Sequence, residues 1–216
     1  MVRKILLLVV VLAIGGAAVN FYRTNMADDV ELYGPNGDVI ATLSSNQSKV
    51  MMMMFSYKTN HDWNIDLPGS KVKVTLTDLE WLGKKLYAKG DYEYGEERGQ
   101  IGLNAQNLLP LNFASINVDK GMVFAIPFWV SNQGSGRFDY LGLFYLDHGA
   151  KKVTHLDTYF VGDRVKLAEL KVDAGFESNN EILLSYYIHG EDQAMAEEPN
   201  QRVEKMIKVS PERFVD

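Results

Sequence analysis

From Val30 to the C-terminus, apolar residues arrive in short runs or at every second position, with turn-forming residues between them. Val72, Val74 and Leu76 alternate with polar neighbours over residues 71–76, the period of a strand with one face buried. The hydrophobic segments 122–130, 138–146, 151–158, 165–172, 181–189 and 201–209 continue the pattern, and 50–57 is a dense apolar run. Pro127 inside the first of these predicts an edge strand or a bulge. Gly34-Pro35-Asn36-Gly37 separates Glu31-Leu32-Tyr33 from residues 38–43 and reads as a hairpin connection. Asp147-His148-Gly149, Asp173-Ala174-Gly175 and a long loop at 190–200 supply further turns. Strands spaced this regularly predict a mainly β protein, an antiparallel meander or sandwich-like domain.

Residues 77–94 admit two readings. Thr77-Asp78-Leu79-Glu80 fits a capping box, and Leu79, Leu82 and Leu86 share a helical face. Against a helix stands Gly83, which in mid-helix costs about 1 kcal/mol relative to alanine. A hairpin turning at Leu82-Gly83-Lys84 is the favoured reading. A soft boundary near Leu108-Leu109-Pro110 divides the chain into a segment 1–23, an N-terminal β-rich subdomain 24–110 and a C-terminal one 111–216.

The start of the chain follows a different pattern. Arg3 and Lys4 precede a run from Ile5 to Val19 that is apolar on every side, as a helix facing lipid must be. Phe21 and Tyr22 resemble an interfacial aromatic belt closed by Arg23, which favours a membrane anchor. Gly16-Ala17-Ala18 would also suit a cleaved signal peptide, so secretion to the periplasm remains the alternative. Cations before the run and Asp28, Asp29 and Glu31 after it keep the basic end cytoplasmic. The expected address is the bacterial inner membrane, single-pass, with the β domain in the periplasm.

Composition narrows the chemistry. The 216 residues carry a net charge of −6, and setting aside Arg3, Lys4 and Arg23 leaves the rest more acidic still. Such a surface repels phosphate backbones, so nucleic acid is not an expected partner. Cysteine is absent, which excludes disulfides, thiolate metal sites and a lipid-modified N-terminal cysteine.

No motif assembles a reaction centre. Met51 to Met54 offer thioethers suited to Cu(I), but alternation along a strand sends them to opposite faces, and adaptable core filling explains them better. His148 and His155, with Asp147 and Asp157, lack metal-ligand spacing. Gly134-Ser135-Gly136 joins two strands, so it is neither a nucleophile elbow nor a phosphate loop. The acid pairs Glu96-Glu97, Glu191-Asp192 and Glu197-Glu198 lie in polar stretches and read as solvated loops. No cofactor and no metal are expected. Trp63, Trp81, Tyr87, Tyr92, Tyr94, Trp129, Tyr140, Tyr145, Tyr159, Tyr186 and Tyr187 make the strands rich in aromatics. Most suit core or cross-strand pairs, and a few suit a glycan or partner groove.

Three segments follow one another in order: Gly134-Ser135-Gly136-Arg137-Phe138-Asp139-Tyr140-Leu141, Val161-Gly162-Asp163-Arg164-Val165, and Gly190-Glu191-Asp192-Gln193-Ala194-Met195-Ala196 with Pro199. The series resembles an uncharacterised domain of bacterial exported proteins and lipoproteins, over roughly residues 113–216. Ala194 stands where that pattern has proline, and the lipoprotein cysteine is missing. The resemblance implies an exported β-rich domain and brings no catalytic residues.

Within that series Gly162-Asp163-Arg164 is expected to form a structural turn. Gly162 takes positive φ, Asp163 accepts backbone amides and Arg164 reaches a carboxylate or strand carbonyls. Arg164 is also the one binding candidate, as an anion contact. The pattern as a whole points to a membrane-tethered periplasmic binding or accessory protein without catalysis, partnered by the membrane and by an envelope protein. The rival readings are a cell-envelope hydrolase using loop carboxylates, and a structural subunit of an inner-membrane complex packing through Gly15-Gly16-Ala17-Ala18.

Overall fold

The alternating segments that the structure describes form antiparallel sheet. The computed structural model describes residues 62–82, 85–134, 136–172 and 181–215, together with the backbone of β1 (Val30–Tyr33) and β2 (Val39–Leu43). The chain divides into two units, Met1–Ser48 and Lys49–Asp216. In the first, β1 and β2 pair antiparallel with Val30 opposite Leu43, as the turn residues between them predict.

Among its described residues, every strand pair of the second unit is antiparallel. β3 (Asn64–Asp66) and β4 (Lys73–Thr75) form a short hairpin. A large sheet follows from β5 (Asp78–Leu82), β6 (Lys85–Tyr94), β7 (Glu97–Asn104), β8 (Leu109–Leu111), β9 (Gly121–Asn132), β10 (Arg137–Asp147) and β11 (Lys152–Asp163). Its order is β11-β10-β9-β7-β6-β5, with β8 also on β9. A smaller sheet runs β12 (Lys166–Val172), β13 (Glu181–Ile188), β14 (Gln201–Val209) and β15 (Phe214–Val215) in sequence order. β5 and β6 pair from Asp78↔Lys89 to Leu82↔Lys85, so the hairpin and not the capped helix forms.

Two expectations are corrected. β9 is a central strand: β10 pairs along its whole length, while β7 and β8 share its other side. Pro127 falls with Ile126 in the gap between those two partners, where a 3-10 turn (Ala105–Asn107) replaces the ladder. A missing N–H costs least at such an interruption, so proline needs neither an edge nor a bulge there. The suggested division near Leu108-Leu109-Pro110 falls inside this sheet, since β7 before it and β8 after it pair with the same strand.

The two faces of β9 go to different partners. Val123 and Ala125 pack with Leu141, Leu143, Ile182, Leu184, Tyr186 and Ile207, which joins the large sheet to the smaller one. Phe124, Ile126 and Phe128 point the other way, toward the β3–β4 hairpin. That hairpin crosses the large sheet. Trp63 stands edge-on to Phe144 at 5.8 Å, and a Cβ at Gly90 would meet the carbonyl oxygen of Thr75 at 2.1 Å. Each fully buried aromatic or leucine contributes about 1.5–3 kcal/mol, so both faces are structural hydrophobic layers. Residues 1–23 and Met51 to Met54 lie outside the described residues. Among those described, no helix is long and apolar enough to cross a membrane.

Candidate functional site

Among the described residues, the smaller sheet leaves part of the large sheet uncovered. Beyond its outer strand β12 lies a cleft of about 590 Å³, floored by the large sheet and walled by Lys166, Leu167, Ala168, Glu169 and Leu170. Lys85, Tyr87, Asn104, Asn107, Trp129 and Arg137 face it from the floor and rim. Tyr87 and Asn104 are cross-strand partners, as are Gly102 and Trp129, so these side chains rise from neighbouring strands onto one face.

Trp129 is a built platform. A Cβ at Gly102 would stand 2.3 Å from its Cζ2, so the indole lies flat on the sheet where only glycine leaves room. The Arg137 guanidinium carbon sits 5.4 Å from the centre of the indole, a cation–π arrangement. Arg137 donates from Nε at 3.3 Å and from Nη2 at 3.2 Å to Oδ1 of Asp139. Oδ2 of Asp139 accepts the Val165 amide at 3.1 Å. Burial pushes the Asp139 carboxyl above the ordinary carboxylate range, while Arg137 and the Val165 N–H pull the other way.

This cluster lies where the chain leaves β11 for β12. Arg164 donates its amide to the Arg137 carbonyl at 2.7 Å and adopts φ of 48°, a left-handed conformation that arginine rarely takes. Strain, one backbone bond and one bond from a backbone amide to a carboxylate thus fix the point where β12 begins to wall the cleft.

β11 runs through Gly162 and Asp163, and the chain bends at Arg164 before β12 begins. Gly162 does not carry the positive φ; a Cβ there would stand 2.7 Å from Cγ1 of Val165, so glycine is needed for close approach. Asp163 pairs with its neighbour, accepting from Arg164 Nε at 3.2 Å, and both side chains are part-exposed. The carboxylate that holds the following strand is Asp139, 26 residues from the amide it accepts. Sequence reasoning singled out Asp163 because it adjoins the turn and missed Asp139, which only strand pairing brings there. Tyr87 and Trp129 were in the pool of candidate groove aromatics; nothing local separated them from Tyr92 or Tyr186, which are buried.

The remaining candidates stay apart. His155 lies stacked on Phe144 at 4.5 Å, where its Nδ1 accepts the Asp66 amide at 2.9 Å. Its Nε2 faces the Asp157 carbonyl and the Thr158 hydroxyl, each at 3.0 Å. An acceptor at Nδ1 and a donor at Nε2 define a neutral tautomer, and burial pushes its pKa down. His148 follows the end of β10 and donates its amide to the Lys120 carbonyl. Asp147 accepts the Ala150 amide and Asp157 the Thr158 and Phe214 amides. No group of three or more potential metal ligands gathers among the described residues. Of the acid pairs, Glu97 accepts the Tyr92 hydroxyl, whose pKa burial and that carboxylate push up. Glu198 pairs with Lys166. Ile5, Val19, Phe21 and Tyr22 lie outside the described residues.

Fold and site together define an antiparallel β protein whose two larger sheets share a core, with an aromatic and polar cleft beside the outer strand of the four-stranded sheet. No protein-family model, no curated protein and no solved structure matches the chain.

Proposed function

We propose that this protein is a binding or accessory module of the bacterial cell envelope, held at the inner membrane by residues 1–23, with the cleft beside β12 as its ligand site. The observation that carries the reading is the Gly102–Trp129–Arg137 stack. Glycine makes room for the indole, Asp139 braces the guanidinium over it, and both line a concavity. Aromatic surface held in place with oriented donors gives contact area at small entropy cost, which is what recognition requires. The cleft size falls within the roughly 300–1,000 Å³ of ordinary ligand sites. The basic N-terminal start and the resemblance to exported domains support the address.

Photo-crosslinking from two positions of the membrane-embedded full chain tests the reading. A photoreactive phenylalanine replacing Asn107, in the cleft, should capture a reproducible envelope component. The same residue replacing Val118, exposed in the turn before β9, should not. Equal capture from both positions, or none from the cleft, would refute it. Alkaline phosphatase fused after Asp216 should be active; an inactive fusion beside a fluorescent cytoplasmic reporter would refute the address.

A further inference from the structure

We infer that β12 accepts an added strand: an extended segment of a partner polypeptide, bearing carboxylates, pairs along the outer edge of β12 and lays its side chains across Tyr87 and Trp129. The inference rests on the proposal that the cleft is the ligand site and names the chemistry of its ligand.

Three observations converge on that occupant. β12 is the end of its sheet and pairs only with β13 among the described residues, so alternate backbone amides and carbonyls along its other side have no strand partner there. The wall of the cleft is that same edge over residues 166–170, a length of roughly 16 Å at about 3.3 Å per residue. A chain lying there extends the four-stranded sheet by one strand over the uncovered floor, which is the geometry of β-augmentation.

Charge then selects the peptide. Within an acidic protein, the cleft has cations Lys85, Arg137 and Lys166 against carboxylates Asp139 and Glu169. Asp139 is engaged by Arg137 and the Val165 amide, Glu169 pairs with Lys171, and Lys166 pairs with Glu198, so Lys85 and Arg137 carry the charge of the rim. Lys85 has no ion-pair partner among the described residues. Arg137, with two of its N–H groups on Asp139, presents its remaining edge outward from a half-exposed side chain. Carboxylates on the incoming strand complement this rim.

β12 also shows how indiscriminate pairing is restrained. Its register shifts between Leu167 and Glu169, and Lys166, Glu169 and Lys171 place charges along it. A bulge and charges are the ordinary protection of an exposed edge. They leave the edge open to a segment of the right charge and closed to apolar strands and to a second copy of the chain.

Hydrogen exchange on the full chain in detergent tests the inference with three synthetic peptides. The first alternates valine with threonine and glutamate, the second carries N-methyl groups on alternate backbone nitrogens, and the third has lysine for glutamate. The first should slow exchange across 166–172, and the N-methylated one should not, because strand pairing needs its amides. The lysine peptide should bind about tenfold more weakly, and Lys85→Glu should weaken the glutamate peptide by a similar factor. No protection by the first peptide, or equal protection by the N-methylated one, overturns strand addition. Protection that follows protein concentration without peptide overturns it in favour of self-association. Each of these leaves the cleft reading standing if position 107 still captures a partner; loss of that capture defeats the cleft reading itself.

Discussion

The smaller sheet ends differently on its two sides. At β15 it is tied down: Asp157 accepts the Phe214 amide at 2.8 Å, Phe214 stands 5.9 Å from the ring of Tyr159, and Lys205 reaches the Tyr159 hydroxyl. At β12 the hydrogen bonds to the large sheet lie only at the start of the strand, from Val165 to Asp139 and from Arg164 to Arg137, and the edge beyond borders a cleft. One flank therefore spends its side chains on closing the sandwich, and the other holds an indole and a guanidinium in place over open space. A carboxylate that accepts a backbone amide from a distant strand appears on both flanks. What differs is whether anything lies beyond it.

Variants separate the two roles by size of effect. Phe144→Ala sets the scale for the structural layer, because Phe144 is fully buried between Trp63, Phe124 and His155. Urea unfolding should show a loss of about 3–5 kcal/mol. On the closed flank, Asp157→Ala strands the Phe214 and Thr158 amides and should cost about 1–3 kcal/mol. A loss as small as that of a surface substitution would mean that β15 does not close the sandwich. On the open flank, Asp139→Ala should lower stability by about 1–2 kcal/mol. Asp163→Ala should change it by less than about 0.5 kcal/mol, as exposed pairs do. Equal losses would restore Asp163 to the role that the local sequence suggests.

His155 gives a pH test on the opposite face. Protonation puts a hydrogen on Nδ1 and removes the bond from the Asp66 amide that pins β3 to β11. Burial depresses the folded pKa below the ordinary imidazole value of about 6.5, outweighing Asp66 and Asp157, which favour the charged ring, while Lys73 opposes it. A depressed folded pKa contributes stability that is complete above the unfolded value and is lost as pH falls. Stability should drop between pH 7.5 and 5.5, by at most about 1.4 kcal/mol per pH unit for one proton. His155→Gln should flatten that slope, and an unchanged slope would show that the ring carries no such linkage.

Most of the strand ladder was legible because side-chain alternation is local information. The segments 138–146, 181–189 and 201–209 became β10, β13 and β14 with ends moved by a residue or so. Gly83 tipped the reading of residues 77–94 toward the hairpin, and the β5–β6 pairing decided it. Pro127 was misread because its tolerance depends on where two neighbouring strands end, and the proline itself says nothing about that. The cleft was not legible at all. It arises from the offset of one sheet on another, and its parts come from β6, β7, β9, β10 and β12. Gly102 facing Trp129 is the trace it leaves in sequence, visible only once the register is known.

The comparison of the two flanks stands or falls on partner recovery per folded chain for two variants of the full-length protein. Tyr87→Ala removes a half-buried cleft aromatic, and Asp157→Ala loosens the closed flank. Tyr87→Ala should melt close to the parent yet lose the component crosslinked at position 107, whereas Asp157→Ala should melt lower and keep it. Recovery that follows melting temperature in both variants would contradict the account.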